Sequence, residues 1–315
     1  RNAFVDIRKG LLAFLAMMLF AAGCGGGGGD AADRPKVVGA SLLTQTHVFY
    51  QDMVAAMREE APQHNLSLRL QFAEFDSRRQ NDQIETFIAQ RVDAILIAPT
   101  DSSGVAPVIA EARAKGIRVF TTDIAAHGAD VVSHIASDNE RGGELLAAYL
   151  AELLGGEGKV VIIDHPSVAS VQDRTRGFDR ELAKHPGMRI VQRVPGEGQR
   201  DKALRAAQDI LQAHPDLDAI FGINDDSALG ALAAVEAAGL QDRIVIVGFD
   251  GTPEAAAAIA AGKALKADAV QYPREIGRKN LEIIAAYLRG EPVPPVAPVD
   301  VGLIDRKTLE AERNP

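Results

Sequence analysis

Ile244-Val245-Ile246-Val247-Gly248-Phe249-Asp250-Gly251-Thr252-Pro253 sets an aliphatic run, a short polar loop and a helix start in direct succession. The run shows no polar alternation, so a strand made from it is buried on both faces, as in a parallel sheet. Thr252 before Pro253 reads as an N-cap followed by proline at the first helical position. The unit is therefore strand, loop, helix, with Phe249, Asp250 and Gly251 in the loop.

The same grammar repeats along the chain. Aliphatic runs stand at Lys36–Leu42, Leu66–Phe72, Ala94–Ala98, Gly116–Thr121 and Val131–Ile135, and again at Lys159–Ile163, Met188–Val194, Asp218–Gly222, Ile244–Gly248 and Ala267–Gln271. Amphipathic stretches of helical length lie between them, among them Tyr50–Glu60, Arg79–Gln90, Glu140–Leu154, Asp173–Lys184 and Ala228–Ala238. Right-handed crossovers then make each half a doubly wound α/β unit. The change between halves falls around Ala136–Asn139, and a late helix, Glu275–Leu288, stops at Gly290. Behind it Pro292, Pro294, Pro295 and Pro298 force an extended segment, and Val299–Ile304 reads as one short strand.

The first residues carry a different signal. Arg8-Lys9-Gly10 leads into the apolar run Leu11–Ala22, which is too short to span a bilayer and suits an export signal. Ala21-Ala22-Gly23 precede Cys24, the only cysteine, and Gly25–Gly29 follow it. This arrangement resembles a bacterial lipobox, with Ala21 where leucine is usual, and implies that Cys24 is lipidated. Residues 1–24 are expected to be a lipoprotein signal peptide and 25–35 a flexible tether. The expected location is extracytoplasmic, in the periplasm or on the outer cell surface. Loss of Arg1, Arg8 and Lys9 against Asp6 moves the net charge from −9 to about −11, which opposes nucleic acid binding.

In open α/β sheets ligands bind where strands end and loops lead into helices. Those loops hold Ser41–Tyr50, Ala98–Asp101, Thr122-Asp123, Asp164-His165, Gly222–Asp225, Phe249–Gly251 and Gln271, with Arg174 just inside a helix. Most are side chains that bond hydroxyls, and Phe49 with Tyr50 is the best pair of rings. The seven histidines show no pair at metal-ligand spacing. No phosphate loop, nucleophile elbow or Gly-x-Gly-x-x-Gly after a strand is found. The expectation is a binding protein, not an enzyme, with no cofactor and no metal.

Four blocks carry a resemblance. They are Ser133–Asn139 with Gly142-Gly143, Phe221–Leu232, Val247–Pro253, and Gln271-Tyr272-Pro273 with Ile276-Gly277. In this order they resemble the periplasmic sugar-binding proteins of ABC importers, in their ribose-binding branch, which share a ligand-binding fold with LacI-type repressors. The resemblance covers residues 36–304. It implies two Rossmann-like lobes with a ligand cleft and three hinge crossings, the type 1 periplasmic binding protein fold. The lobes are expected to be 36–136 plus 272–298, and 137–271 plus 299–310. Residue by residue, Asp123 and Asp250 match aspartates that accept from sugar hydroxyls, and Arg174 matches a donor arginine. Asn224 matches a hydroxyl-binding asparagine and Gln271 a glutamine at the hinge. Phe49 and Tyr50 match two rings that sandwich the sugar. Gln45 and His47, in a first loop longer than the ribose pattern, are candidate additional contacts.

Three positions depart from that pattern. Ala98 stands where a hydroxyl-binding asparagine is usual, Ile124 replaces an arginine, and Gly198 falls where the second lobe's aromatic is expected. Donors are lost while two aspartates stay, which points away from ribose toward a larger or less hydroxylated sugar or polyol, or an amino-bearing ligand. The partners implied are ABC permease membrane subunits and a lipid anchor, with the protein itself a monomer. The alternative is a sensory role, presenting the bound ligand to a chemoreceptor or sensor kinase. A LacI-type regulator is disfavoured, because the signal segment occupies the place of its helix-turn-helix.

Overall fold

The computed structural model describes residues 34–313. The first sheet is built from β1 (Lys36–Leu42), β2 (Leu66–Phe72), β3 (Ala94–Ile97), β4 (Arg118–Thr122), β5 (His134–Ser137) and β11 (Val296–Val299). Its order is β2-β1-β3-β4-β5-β11, and every pairing is parallel. The second sheet holds β6 (Glu157–Asp164), β7 (Gly187–Pro195), β8 (Ala219–Gly222), β9 (Val245–Asp250), β10 (Leu265–Val270) and β12 (Gly302–Asp305). Its order is β7-β6-β8-β9-β10-β12, parallel except for β12 against β10. Both orders reverse after the first strand pair, between β1 and β3 and between β6 and β8. Such a switch point leaves a crevice at the strands' carboxyl ends.

The central strands are aliphatic because helices cover both faces. Val160, Val161, Ile162 and Ile163 of β6 are all fully buried, as are Ile95, Leu96 and Ile97 of β3. The first sheet carries α1 (Val48–Glu60), α2 (Ser77–Ala89), α3 (Ala106–Ala114) and, late in the chain, α9 (Pro273–Leu288), which packs on α1. The second carries α4 (Asn139–Leu153), α5 (Ala169–Leu182), α6 (Arg200–Ala213), α7 (Asp225–Ala237), α8 (Pro253–Ala260) and α10 (Arg306–Arg313). The chain passes between sheets after β5, after β10 and after β11, which gives three crossings.

The extended tail corrects one expectation. Val299–Ile304 is not a single strand: β11 ends at Val299 on the first sheet, and β12 begins at Gly302 on the second. Pro298, which has no N–H to donate, is accommodated because β11 is an edge strand. Helices α2 and α7 also begin earlier than their apolar periodicity suggests. Asp76 accepts from the amides of Arg78 and Arg79, and Asn224 accepts from Ser227, so polar caps set these starts.

One helix pair positions the site directly. A methyl group on Gly143 of α4 would overlap the backbone carbonyl of Arg174, and one on Gly177 of α5 would overlap that of Glu140. Two glycines thus let the helices meet backbone to backbone and fix where Arg174 emerges.

Candidate ligand-binding cleft

The carboxyl ends of the two sheets face each other across a cleft of about 410 Å³, part of it open to solvent. Eight of the nine expected residues line it: His47, Phe49, Tyr50, Asp123, Arg174, Asn224, Asp250 and Gln271. Gln45 does not. It is exposed, its amide donates to Glu74 Oε1 at 3.2 Å, and its carbonyl accepts from Gln51.

Asp123 follows β4 with φ of 61° and is buried. The Tyr50 hydroxyl donates to Asp123 Oδ2 at 2.6 Å, and Oδ1 has no hydrogen-bond partner among the described residues. Burial pushes the Asp123 carboxyl up, while Arg174 and the Tyr50 bond pull it back. Burial, then Asp123, holds the Tyr50 phenol well above its ordinary value, so Tyr50 is a neutral donor. Its ring meets Phe49 edge-on, centroids 5.2 Å apart.

Arg174 is 4% exposed and heavily constrained. Its Nε donates to Asn139 Oδ1 and its Nη1 to the Ile223 carbonyl, both at 2.8 Å. The guanidinium carbon lies 3.9 Å from the centre of the Phe249 ring, a cation–π contact. Nη1 is 3.9 Å from Asp250 Oδ1. Asp250 ends β9 in a left-handed conformation, φ 137°, and accepts from Gln271 Nε2 at 2.7 Å. Its carboxyl is pushed up to about 8, first by burial and then by the neighbouring Asp225 carboxyl. Gln271 Oε1 is buried and, among the described residues, without a partner.

Asn224 has two structural duties at once. It caps α7, and its Nδ2 donates to the Gly198 carbonyl at 3.1 Å. His47 is both a cavity wall and a bridge: its Nε2 stands 3.2 Å from Asp226 Oδ2 on the second sheet's side. Burial lowers its pKa despite the opposing pull of Asp226.

Phe75 escaped the sequence reading of the site, and His165, read there only as a loop residue at a strand's end, also lines the cavity. Phe75 follows Glu74, both at positive φ, and its ring lies 5.4 Å from His47 and 6.5 Å from His165. The signal available was its place in the loop between β2 and the Asp76 cap. His165 follows β6, and burial holds its imidazole down to about 4, so it is a neutral ring. These rings stand beside Gly198, where the expected aromatic is missing. Of the other departures, Ile124 lines the cavity, whereas Ala98 is fully buried and does not. Among the described residues no group of three or more His, Cys, Asp or Glu is placed to hold a metal ion.

Residues 38–292 match the periplasmic binding protein domain, most of the chain. The chain belongs to the periplasmic binding protein family. Among curated relatives it is 35% identical over 257 residues to the ribose import binding protein of Bacillus subtilis (strain 168), covering 81% of this chain and 83% of that one. Among solved structures it is similar to an ABC transporter solute-binding protein from Bacillus halodurans C-125 with bound myo-inositol. That match has a TM-score of 0.83 and 27% identity over 90% of this chain and 98% of the other. A solute-binding protein from Agrobacterium vitis bound with α-D-tagatopyranose matches with a TM-score of 0.82 and 29% identity, over 87% and 96% of the two chains. Family membership and the two facing lobes agree with the fold implied by the four sequence blocks.

Proposed function

We propose that this protein captures a small polyhydroxylated solute, a sugar or polyol, between its lobes and delivers it to an ABC importer outside the cytoplasm. The observation that carries this is a pair of buried acceptors, Asp123 Oδ1 and Gln271 Oε1, without partners among the described residues, on one cavity with a fixed arginine. Buried polar atoms need partners, and ligand hydroxyls supply donors to such oxygens. Rings of Phe49, Tyr50 and Phe75 offer faces for the C–H side of a sugar. Hydrogen-bonding side chains and rings on one wall suit binding of such a solute. The names of the relatives, ribose, myo-inositol and tagatopyranose among them, support the same ligand class.

Ligand selection follows from the wall. Ile124 gives no donor and Gly198 adds room, so a ligand other than ribose, such as a hexose, deoxysugar, polyol or amino sugar, is favoured. A thermal-shift screen across pentoses, hexoses, polyols and amino sugars tests both function and identity, because binding to the native state raises the melting temperature. One class should stabilise the protein well above the others. No shift with any of them would contradict the reading.

The moving bodies are 36–136 plus 272–298 and 137–271 plus 299–310, turning about the three crossings as a monomer. Cys24 lies outside the described residues, and its lipidation remains part of this proposal. Cys24→Ala should release folded protein into the soluble exported fraction; a variant that stays membrane-bound after signal removal would refute the anchor.

A further inference from the structure

Helix α5 carries Arg174 yet starts without a cap of its own. Its N-cap position is Val168, which makes no side-chain capping bond. First-turn amides have no partner inside a helix and need one from outside. The Ala169 amide has one, and it comes from the opposite lobe: Ser102 Oγ accepts it at 2.8 Å. Ser102 lies between β3 and α3 and is 1% exposed. Its amide donates to the Ser167 carbonyl at 3.0 Å, and its carbonyl accepts the His127 amide at 2.7 Å. Beside it, His127 Nε2 is 3.1 Å from Gln172 Oε1 in the first turn of α5.

We propose that Ser102 caps α5 in trans, so that lobe closure completes the helix that holds Arg174 and makes Ser102 a positioning residue for ligand affinity. The proposal rests on reading the cleft as a ligand site that opens and closes. Ser102 does not line the cavity, so it acts on ligand only through α5. When the lobes part, the hydroxyl leaves with the first lobe and the Ala169 amide returns to water. The capping free energy then belongs to closure, and through closure to affinity. The loop does not need the hydroxyl for its own shape, because Asp101 Oδ1 accepts from the amides of Ser103 and Gly104 at 2.9 and 2.6 Å.

The test compares wild type, Ser102→Ala and Ser102→Thr with D-ribose, xylitol, myo-inositol and D-tagatose as probes. For a probe that raises the melting temperature, its Kd is measured together with residue-resolved hydrogen exchange at Ala169. In wild type the bound probe should slow exchange of the Ala169 amide. Ser102→Ala should abolish that protection and weaken binding about five-fold, the size of one lost cap. Its melting temperature without probe should stay at the wild-type value, and Ser102→Thr should restore both readouts. A purely structural serine would instead lower the probe-free melting temperature. Wild-type affinity in Ser102→Ala, or equal protection of Ala169 without probe, overturns the trans cap alone. Failure of every probe to bind overturns the ligand-site reading and the cap with it.

Discussion

Asp250 concentrates the cost of the site in one residue. It holds a left-handed backbone conformation, φ 137°, rare for a side chain larger than glycine's, and its carboxyl is buried beside Asp225. Burial and Asp225 raise its pKa from 3.8 to about 8, so ionising it opposes folding of the ligand-free protein. The sign follows from proton binding: between those values the folded state holds the proton more often than the unfolded chain. Stability therefore falls as pH rises from 3.8 through about 8. Asp250→Asn removes that slope and should stabilise the ligand-free protein by at least about 1 kcal/mol at pH 8. Above pH 8, where the carboxyl is ionised, the same change should cost about 2 kcal/mol or more of ligand binding, since an amide cannot replace a charged acceptor. Thermal melts across pH, with titration calorimetry, check both halves. A variant less stable than wild type at alkaline pH would show that Asp250 is not strained by its charge. Asp250 was legible in the sequence from its place after an aliphatic run. Its bond to Gln271 was not, because the two meet only when β9 and β10 pair.

At the scale of elements, the meeting of α4 and α5 decides where Arg174 points. Gly142-Gly143 and Gly177 were visible in the sequence, but nothing in periodicity says that Gly143 and Gly177 face carbonyls across a helix pair. Gly177→Ala forces a methyl group into the Glu140 carbonyl and must separate the helices. The expected loss is about 1–3 kcal/mol in denaturant unfolding, the usual range for overpacking, with weaker ligand binding as Arg174 shifts. Unchanged stability and affinity would contradict the close approach. Elements themselves were readable where runs were long and aliphatic, as at β1, β2 and β9. Helix starts at Ser77 and Asp225 came out late because apolar spacing ignores caps. The tail was read as a single strand because two four-residue strands are too short to stand apart in an apolar pattern.

For the whole molecule, the two-lobed plan was legible from two equal series of strand–helix units and four family blocks in order. Folding of the first lobe brings Tyr50 to Asp123, and the facing of the lobes brings His47 to Asp226. Gln45 was placed with this group on loop length alone, and loop length does not fix which way a side chain points. Phe75 was passed over for the converse reason: its left-handed backbone, not its neighbours in sequence, turns its ring to the cavity. Ligand should draw the two lobes together. Small-angle scattering of the protein without ligand, and then saturated with the solute found by thermal shift, measures this directly. The radius of gyration should be smaller in the saturated sample, and an unchanged radius at saturation would contradict lobe closure.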